Sequence, residues 1–98
     1  MADPELVIVA RFNARPEKAE ALEALLLALV EPSRADPGCV QYDLHRSRTE
    51  PGVFLFFERW ESRELWQAHM KASHLAAFKT ASVGLIEHAE ILEMEAIG

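Results

Sequence analysis

The chain is short of cysteine, of cations and of long apolar runs, and each shortage removes a class of function. Its single cysteine, Cys39, can form no internal disulfide and lacks the companions of a cysteine-based zinc site. Ten Lys and Arg residues stand against sixteen Asp and Glu, a net charge of −6, so neither nucleic acid nor an anionic membrane is an expected partner. No apolar run approaches the ~20 residues needed to cross a bilayer. The opening Met1-Ala2-Asp3-Pro4-Glu5 is acidic where a secretory leader is basic, so a cytoplasmic chain is expected. There is no Gly-rich phosphate loop, no Ser-His-Asp signature, no Cys-His pair and no basic aromatic surface. What remains is 98 residues, half of them apolar, expected to form one domain over 1–98. A domain of this size buries only about 60–70% of its unfolded surface, so the apolar content exceeds what so small an interior needs.

Residues Leu6 to Phe12 are rich in β-branched side chains and bounded by Pro4 and Asn13-Ala14-Arg15-Pro16, which predicts a strand. Pro16-Glu17-Lys18 has the composition of a helix start, and Ala19, Leu22, Leu25, Leu26, Leu29 and Val30 follow at helical spacing. That helix is predicted to stop at Pro32 or at Asp36-Pro37-Gly38. Strands are predicted for Val40 to Arg46 and Val53 to Trp60, joined by the turn Thr49-Glu50-Pro51-Gly52. Ser62 is a good N-cap for a second helix carrying Leu65, Trp66, His69 and Met70. Ser73 can re-cap its continuation from His74 to about Val83, Gly84 breaks it, and Glu90 to Ile97 is predicted as the last strand.

The order β-α-β-β-α-β predicts an α+β, ferredoxin-like fold: an antiparallel sheet with both helices on one face. The third strand is apolar on both sides. Phe54, Phe56 and Trp60 share one face with Glu58, while Val53, Leu55 and Phe57 share the other with Arg59. A sheet half-exposed to water alternates apolar with polar, so a second copy is expected to cover the outer face and give a homodimer with sheets face to face.

Several residues could carry chemistry. His69 follows Leu65 by four residues and Trp66 by three, on the inward side of its helix. There it can serve as acid, base or oriented donor, although position alone favours a core histidine bonded to a backbone carbonyl. His74 lies five residues on, about 140° around a continuous helix, and no carboxylate stands at ligand spacing with the pair, so no metal site is expected. His45 and His88 are expected at the surface. Glu58 sits between Phe56 and Trp60, where burial raises a carboxyl pKa unless a cation meets it, and an ion pair with Arg11 or Arg46 is the expected remedy. Tyr42, Phe54, Phe56, Trp60, Trp66 and Phe78 could line a flat slot for a planar aromatic ligand, or simply fill a core.

The ordered fragments Pro37-Gly38-Cys39-Val40-Gln41-Tyr42, Pro51, Phe54-Leu55-Phe56-Phe57-Glu58-Arg59-Trp60-Glu61-Ser62 and His69-Met70-Lys71-Ala72-Ser73-His74 resemble the antibiotic biosynthesis monooxygenase family, over about Leu6 to Met94. These are cofactor-independent oxygenases of the dimeric α/β barrel superfamily. The resemblance implies a ferredoxin-like monomer that dimerises through its sheets, with a pocket between sheet and helices. It further implies oxidation of a phenolic or quinol-type aromatic small molecule by O2, with no flavin, haem or metal. By motif position, His69 is the implied catalytic base or donor. Tyr42, Trp60, Phe56 and Trp66 are implied to bind substrate, and His74 and Glu58 to stand behind them. Haem-degrading relatives carry a first-strand Asn, a helical Trp and a ligand His. Here Ala10, His69 and Lys79 occupy those places and Asn13 lies past the predicted strand, which disfavours haem degradation. Relatives acting on a phosphorylated signalling carbohydrate share the spaced histidines but suit the apolar lining poorly. A non-enzymatic, dimeric ligand-binding module is the alternative from outside catalysis.

Overall fold

Alternation along β3 (Val53–Trp60) sets the architecture. In the computed structural model, which describes residues 5–98, Phe54, Phe56, Glu58 and Trp60 are all at most 4% exposed, while Val53, Leu55, Phe57 and Arg59 are half-buried. The residues before Glu5, including the Pro4 boundary, lie outside the described residues. β3 pairs antiparallel with β2 (Cys39–Arg46) and with β1 (Leu6–Ala14), and β1 pairs antiparallel with β4 (Ile86–Met94). The order β2-β3-β1-β4 is the ferredoxin-like sheet expected from the sequence. Each predicted helix is split in two: α1 (Ala19–Ala28) and α2 (Val30–Arg34), then α3 (Arg63–Met70) and α4 (Ser73–Ala81). Leu22, Leu26 and Leu29, with Trp66, Leu75 and Phe78, pack against Ile8, Ala10, Tyr42 and the inward side chains of β3 to make the core. No helix among the described residues is long and apolar enough to cross a membrane.

The departures from the predicted boundaries have local causes. Pro16 does not open α1, because Glu17 takes a left-handed φ of 66° and Lys18 N–H bonds back to Arg15 C=O, so the helix waits until Ala19. Pro32 does not end the helical region either. It has no N–H to give to Ala28, which closes α1, and it then occupies the first turn of α2, where that donor is not needed. Ser62 does cap α3, its hydroxyl accepting from Leu65 N–H at 3.2 Å. Ser73, in contrast, is the first residue of α4, and the extended residue before it, Ala72, is the cap position. β4 begins four residues earlier than predicted. Gly84 turns the chain at φ 82° and Leu85 C=O accepts from Arg15 N–H, which brings Ile86 into register with Ala14.

Gly38 is the backbone position on which the site depends most. Its φ is 83°, its C=O accepts from Glu61 N–H, and a Cβ there would meet Leu65 Cδ1 at 2.5 Å and Leu65 Cβ at 2.7 Å. Gly38→Ala therefore combines left-handed strain with overpacking against α3. It is expected to destabilise the protein by roughly 2–4 kcal/mol, read as a lower urea midpoint at unchanged slope. An unaltered midpoint would contradict the close approach of the loop to α3.

Candidate active site

His69 closes the last turn of α3 and faces the sheet, with a side chain 2% exposed. Its Nδ1 lies 2.7 Å from Asp36 Oδ2, and His74 Nε2 lies 2.9 Å from the same oxygen. Asp36 comes from the turn between α2 and β2, just before Pro37-Gly38. The helix break at Lys71–Ala72 brings the two histidines together, with ring centroids 5.9 Å apart. Two expectations are thereby corrected. His69 bonds a carboxylate and not a backbone carbonyl, and a carboxylate does meet both rings. Among the described residues this trio alone has its possible metal-donor atoms within 4.8 Å of one another. Yet separations of 2.7 and 2.9 Å are hydrogen-bond lengths. Metal bonds of ~2.1 Å would hold neighbouring ligands roughly 3.0–3.4 Å apart, so the trio is a hydrogen-bonded cluster.

Trp60 lies against one face of the His69 ring, 4.5 Å away and inclined by 35°, and Tyr42 approaches its edge at 5.5 Å. Tyr42, Phe56, Glu58, Trp66 and His69 line one cavity between sheet and helices, together with Leu29, Met70, Ile91 and other apolar side chains. Trp60 and His74 do not line it. Trp60 is fully buried behind His69, and His74 stands on the solvent side of Asp36, its side chain 20% exposed. The His69 ring lines this cavity, and no hydrogen bond to its Nε2 occurs among the described residues. The cavity measures about 40 Å³, enough for O2 or a water molecule or two, against the ~300 Å³ or more of a typical ligand pocket. Ile91 is 44% exposed and Met70 half-buried, so the wall is least enclosed at these two side chains.

Glu58 does not form the expected ion pair. Arg11 projects from the opposite face of the sheet and reaches Glu50 at 3.7 Å, while Arg46 pairs with Glu23 at 2.6 Å. Among the described residues the Glu58 carboxyl accepts one hydrogen bond, from Trp60 Nε1–H, at 2.9 Å. Burial dominates over that bond and pushes the Glu58 carboxyl from 4.5 up to about 7. Burial, reinforced by Glu58, also holds the Tyr42 phenol well above its ordinary value. Burial keeps His69 below the usual histidine value, with Asp36 opposing and His74 adding to the effect. The fully buried Ser33 hydroxyl lies beside the Tyr42 phenol and partly offsets the phenol's rise. At neutral pH the cavity thus holds a neutral imidazole, a neutral phenol and a carboxyl poised to ionise.

A consequence for stability follows from Glu58. The folded state keeps a proton that the unfolded chain releases at its ordinary value, so this stabilisation is complete below pH ~4.5 and lost as pH rises through about 7. Glu58→Gln retains an oxygen for Trp60 Nε1–H and removes the charge. It is expected to exceed the wild type in stability by up to ~3 kcal/mol above pH 8, with little difference at pH 5. Urea unfolding at the two pH values reads this, and a difference independent of pH would contradict the buried, cation-free carboxyl.

Asn13 lies within β1 and not beyond it, but on the outer face, where Arg11 Nε–H bonds its side chain, so it does not reach the cavity. Lys79 is exposed on α4. The arrangement missed from sequence is Asp36, which stood out only as part of a turn. Its contacts to His69 and His74 span 33 and 38 residues, beyond the reach of any local pattern.

The sequence profile of the antibiotic biosynthesis monooxygenase family matches residues 6–81. An uncharacterized protein of Synechocystis is 34% identical over 87% of this chain, a match that spans 58% of its own length. Rv0793 of Mycobacterium tuberculosis, named as a candidate monooxygenase, is 39% identical over 81% of this chain and 76% of its own. Among solved structures, PA3566 of Pseudomonas aeruginosa superposes with a TM-score of 0.95 at 34% identity, covering 100% of this chain and 99% of that one. The structure of Rv0793 gives a TM-score of 0.88 at 30% identity, covering 96% of each chain.

Proposed function

The chain belongs to the antibiotic biosynthesis monooxygenase family, and on that premise we propose that it is a cytoplasmic, cofactor-independent monooxygenase acting on a phenolic or quinol-type aromatic. The observation that carries this reading is a buried histidine whose Nδ1 is tied to a carboxylate while its ring lines an aromatic-walled cavity. An imidazole so held is neutral and presents a lone pair, which suits it to take a phenolic proton. The resulting phenolate is the reductant. Its ring carbon passes electrons to O2 and forms a C–O bond, giving a ring hydroperoxide after protonation. Loss of the hydrogen on that carbon with cleavage of the O–O bond yields a C=O group and water. The sum is one phenol with a free ring C–H plus one O2 giving one quinone and one water, so substrate supplies every electron. The protein's part is to bind, deprotonate and exclude water from the carbanion-like intermediate.

Tyr42, Phe56 and Trp66 supply flat apolar walls for such a ring, with Trp60 fixing the plane of His69 from behind. A space of about 40 Å³ admits a substrate ring only if side chains of the wall move aside, and Ile91 and Met70 are its more exposed members. No Lys or Arg lines the cavity among the described residues, which weighs against a phosphorylated carbohydrate. The small volume supports one other reading, a dimeric binding module that no longer turns over. An oxygen electrode with a panel of naphthols, hydroquinones and anthrones separates the two: O2 uptake above the buffer rate is expected, and ligand binding without uptake would favour the module.

The partner proposed is a second copy, docked through the outer face of the sheet. There Phe57, Val9 and Leu92 form one cross-strand row, with Val7, Met94 and Leu55 beside it. Leu92 and Met94 are 43% and 48% exposed, and no helix covers this face. Arg11, Arg59, Asp43 and Glu90 surround the apolar centre with both signs of charge, as the rim of a two-fold interface would.

A further inference from the structure

Three side chains form a ladder from the cavity to solvent: His69 is 2% exposed, Asp36 17% and His74 20%. Both imidazoles meet one carboxylate oxygen, and a carboxylate accepts, so His69 donates from Nδ1–H and His74 from Nε2–H. A neutral imidazole has one proton. With Nδ1 carrying it, His69 Nε2 is bare at the cavity. We infer that Asp36 is the positioning residue of this site. It selects the His69 tautomer that can act as a base, and it ties that base to the solvent-facing His74. The tautomer stands on geometry alone, while the catalytic use of it rests on the oxygenase reading above.

The shared oxygen has a second consequence. One carboxylate charge can compensate one imidazolium but not two. When His74 is protonated, Asp36 is already neutralised and protonation of His69 is resisted. When His74 is neutral, Asp36 stabilises the imidazolium that forms as substrate gives up its proton. The other titratable groups that face His69 are Glu58 and Tyr42, from the sheet side of the cavity, while the junction between α1 and α2 presents only Leu29 there. His74 therefore tunes His69 through the shared carboxylate oxygen, without touching substrate.

The test uses histidine labelled with nitrogen-15 in the intact protein, with Asp36→Asn, Asp36→Glu and His74→Gln. At alkaline pH the wild type is expected to show His69 with Nδ1 protonated and Nε2 bare. Asp36→Asn removes the charge and offers Nδ1 an amide that can donate as well as accept, so the share of His69 with its proton on Nε2 should rise, and kcat on an accepted quinol should fall about 10²-fold or more at nearly constant KM. Asp36→Glu should restore the wild-type tautomer and part of kcat. His74→Gln keeps a donor to Asp36 without its charge, so His69 should titrate, and the acidic limb of kcat should lie, at a different pH than in the wild type. A folded Asp36→Asn protein with Nε2 still bare and kcat undiminished would overturn the inference. Stoichiometric zinc binding lost in Asp36→Asn would overturn it too, by making the trio a metal site. The spectra need no substrate, so the expected tautomer in a wild type that consumes no O2 would sink the oxygenase reading alone.

Discussion

Replacing His69 by alanine is expected to lower oxygen consumption on the preferred quinol roughly 10²–10⁴-fold, ~3–5 kcal/mol on the barrier. Within the proposed chemistry the phenol is inert to O2 until it loses its proton, and with Tyr42 held protonated and Glu58, at about 7, only partly ionised near neutral pH, His69 is the main base lining the cavity. The loss should fall on kcat, since most of the binding surface is aromatic and stays in place. Circular dichroism and sedimentation keep the result interpretable. His69→Ala removes a ring that Trp60 packs on at 4.5 Å, yet Asp36 retains His74 as a partner. A substrate supplied already ionised, at pH well above its own pKa, should be oxidised by His69→Ala at a rate closer to wild type. A variant with undiminished turnover would remove His69 from the mechanism.

Phe57→Glu is expected to convert a dimer into a folded monomer. Phe57 lies at the centre of the outer sheet face, between Asp43 and Val9 in the cross-strand row. Burying a phenylalanine contributes ~2–3 kcal/mol, and a two-fold axis counts each substitution twice, so dissociation should become roughly 10³–10⁴-fold more favourable. Facing carboxylates across the axis add repulsion, more so beside Asp43. In the isolated subunit the same side chain is only half-buried, so folding should survive. Sedimentation velocity reads the outcome directly. A wild type that is monomeric at all concentrations would remove the proposed interface, and a dimeric Phe57→Glu would move it elsewhere.

How far such features could be read from sequence depended on whether their cause was local. The strand Val53–Trp60 and the cap at Ser62 were legible because a two-residue alternation and a single hydroxyl three residues before its donor are local signals. β4 was misplaced because its residues are almost all exposed on both faces, which erases the alternation that marks a strand. The start of α1 was misjudged because proline and acid at a helix start are a statistical preference, and here Glu17 adopts φ 66°. At the site, burial of Glu58 followed from its flanks, but the absence of a cation did not. Parity along β1 puts Arg11 on the other face, and this emerges only once the pairing Ile8 with Glu58 is known. Asp36 was the deepest omission, since its link to His69 and His74 exists only after the loop before Gly38 folds against α3.

The most direct measurement is turnover of an accepted naphthol or anthrone under isotopically heavy O2, with the wild-type protein first dialysed against a chelator. The proposed chemistry predicts one labelled oxygen atom in each quinone formed and the other in water, at a rate unaffected by chelation and abolished in His69→Ala. Product without label, or turnover that appears only when a flavin or metal ion is restored, would contradict it.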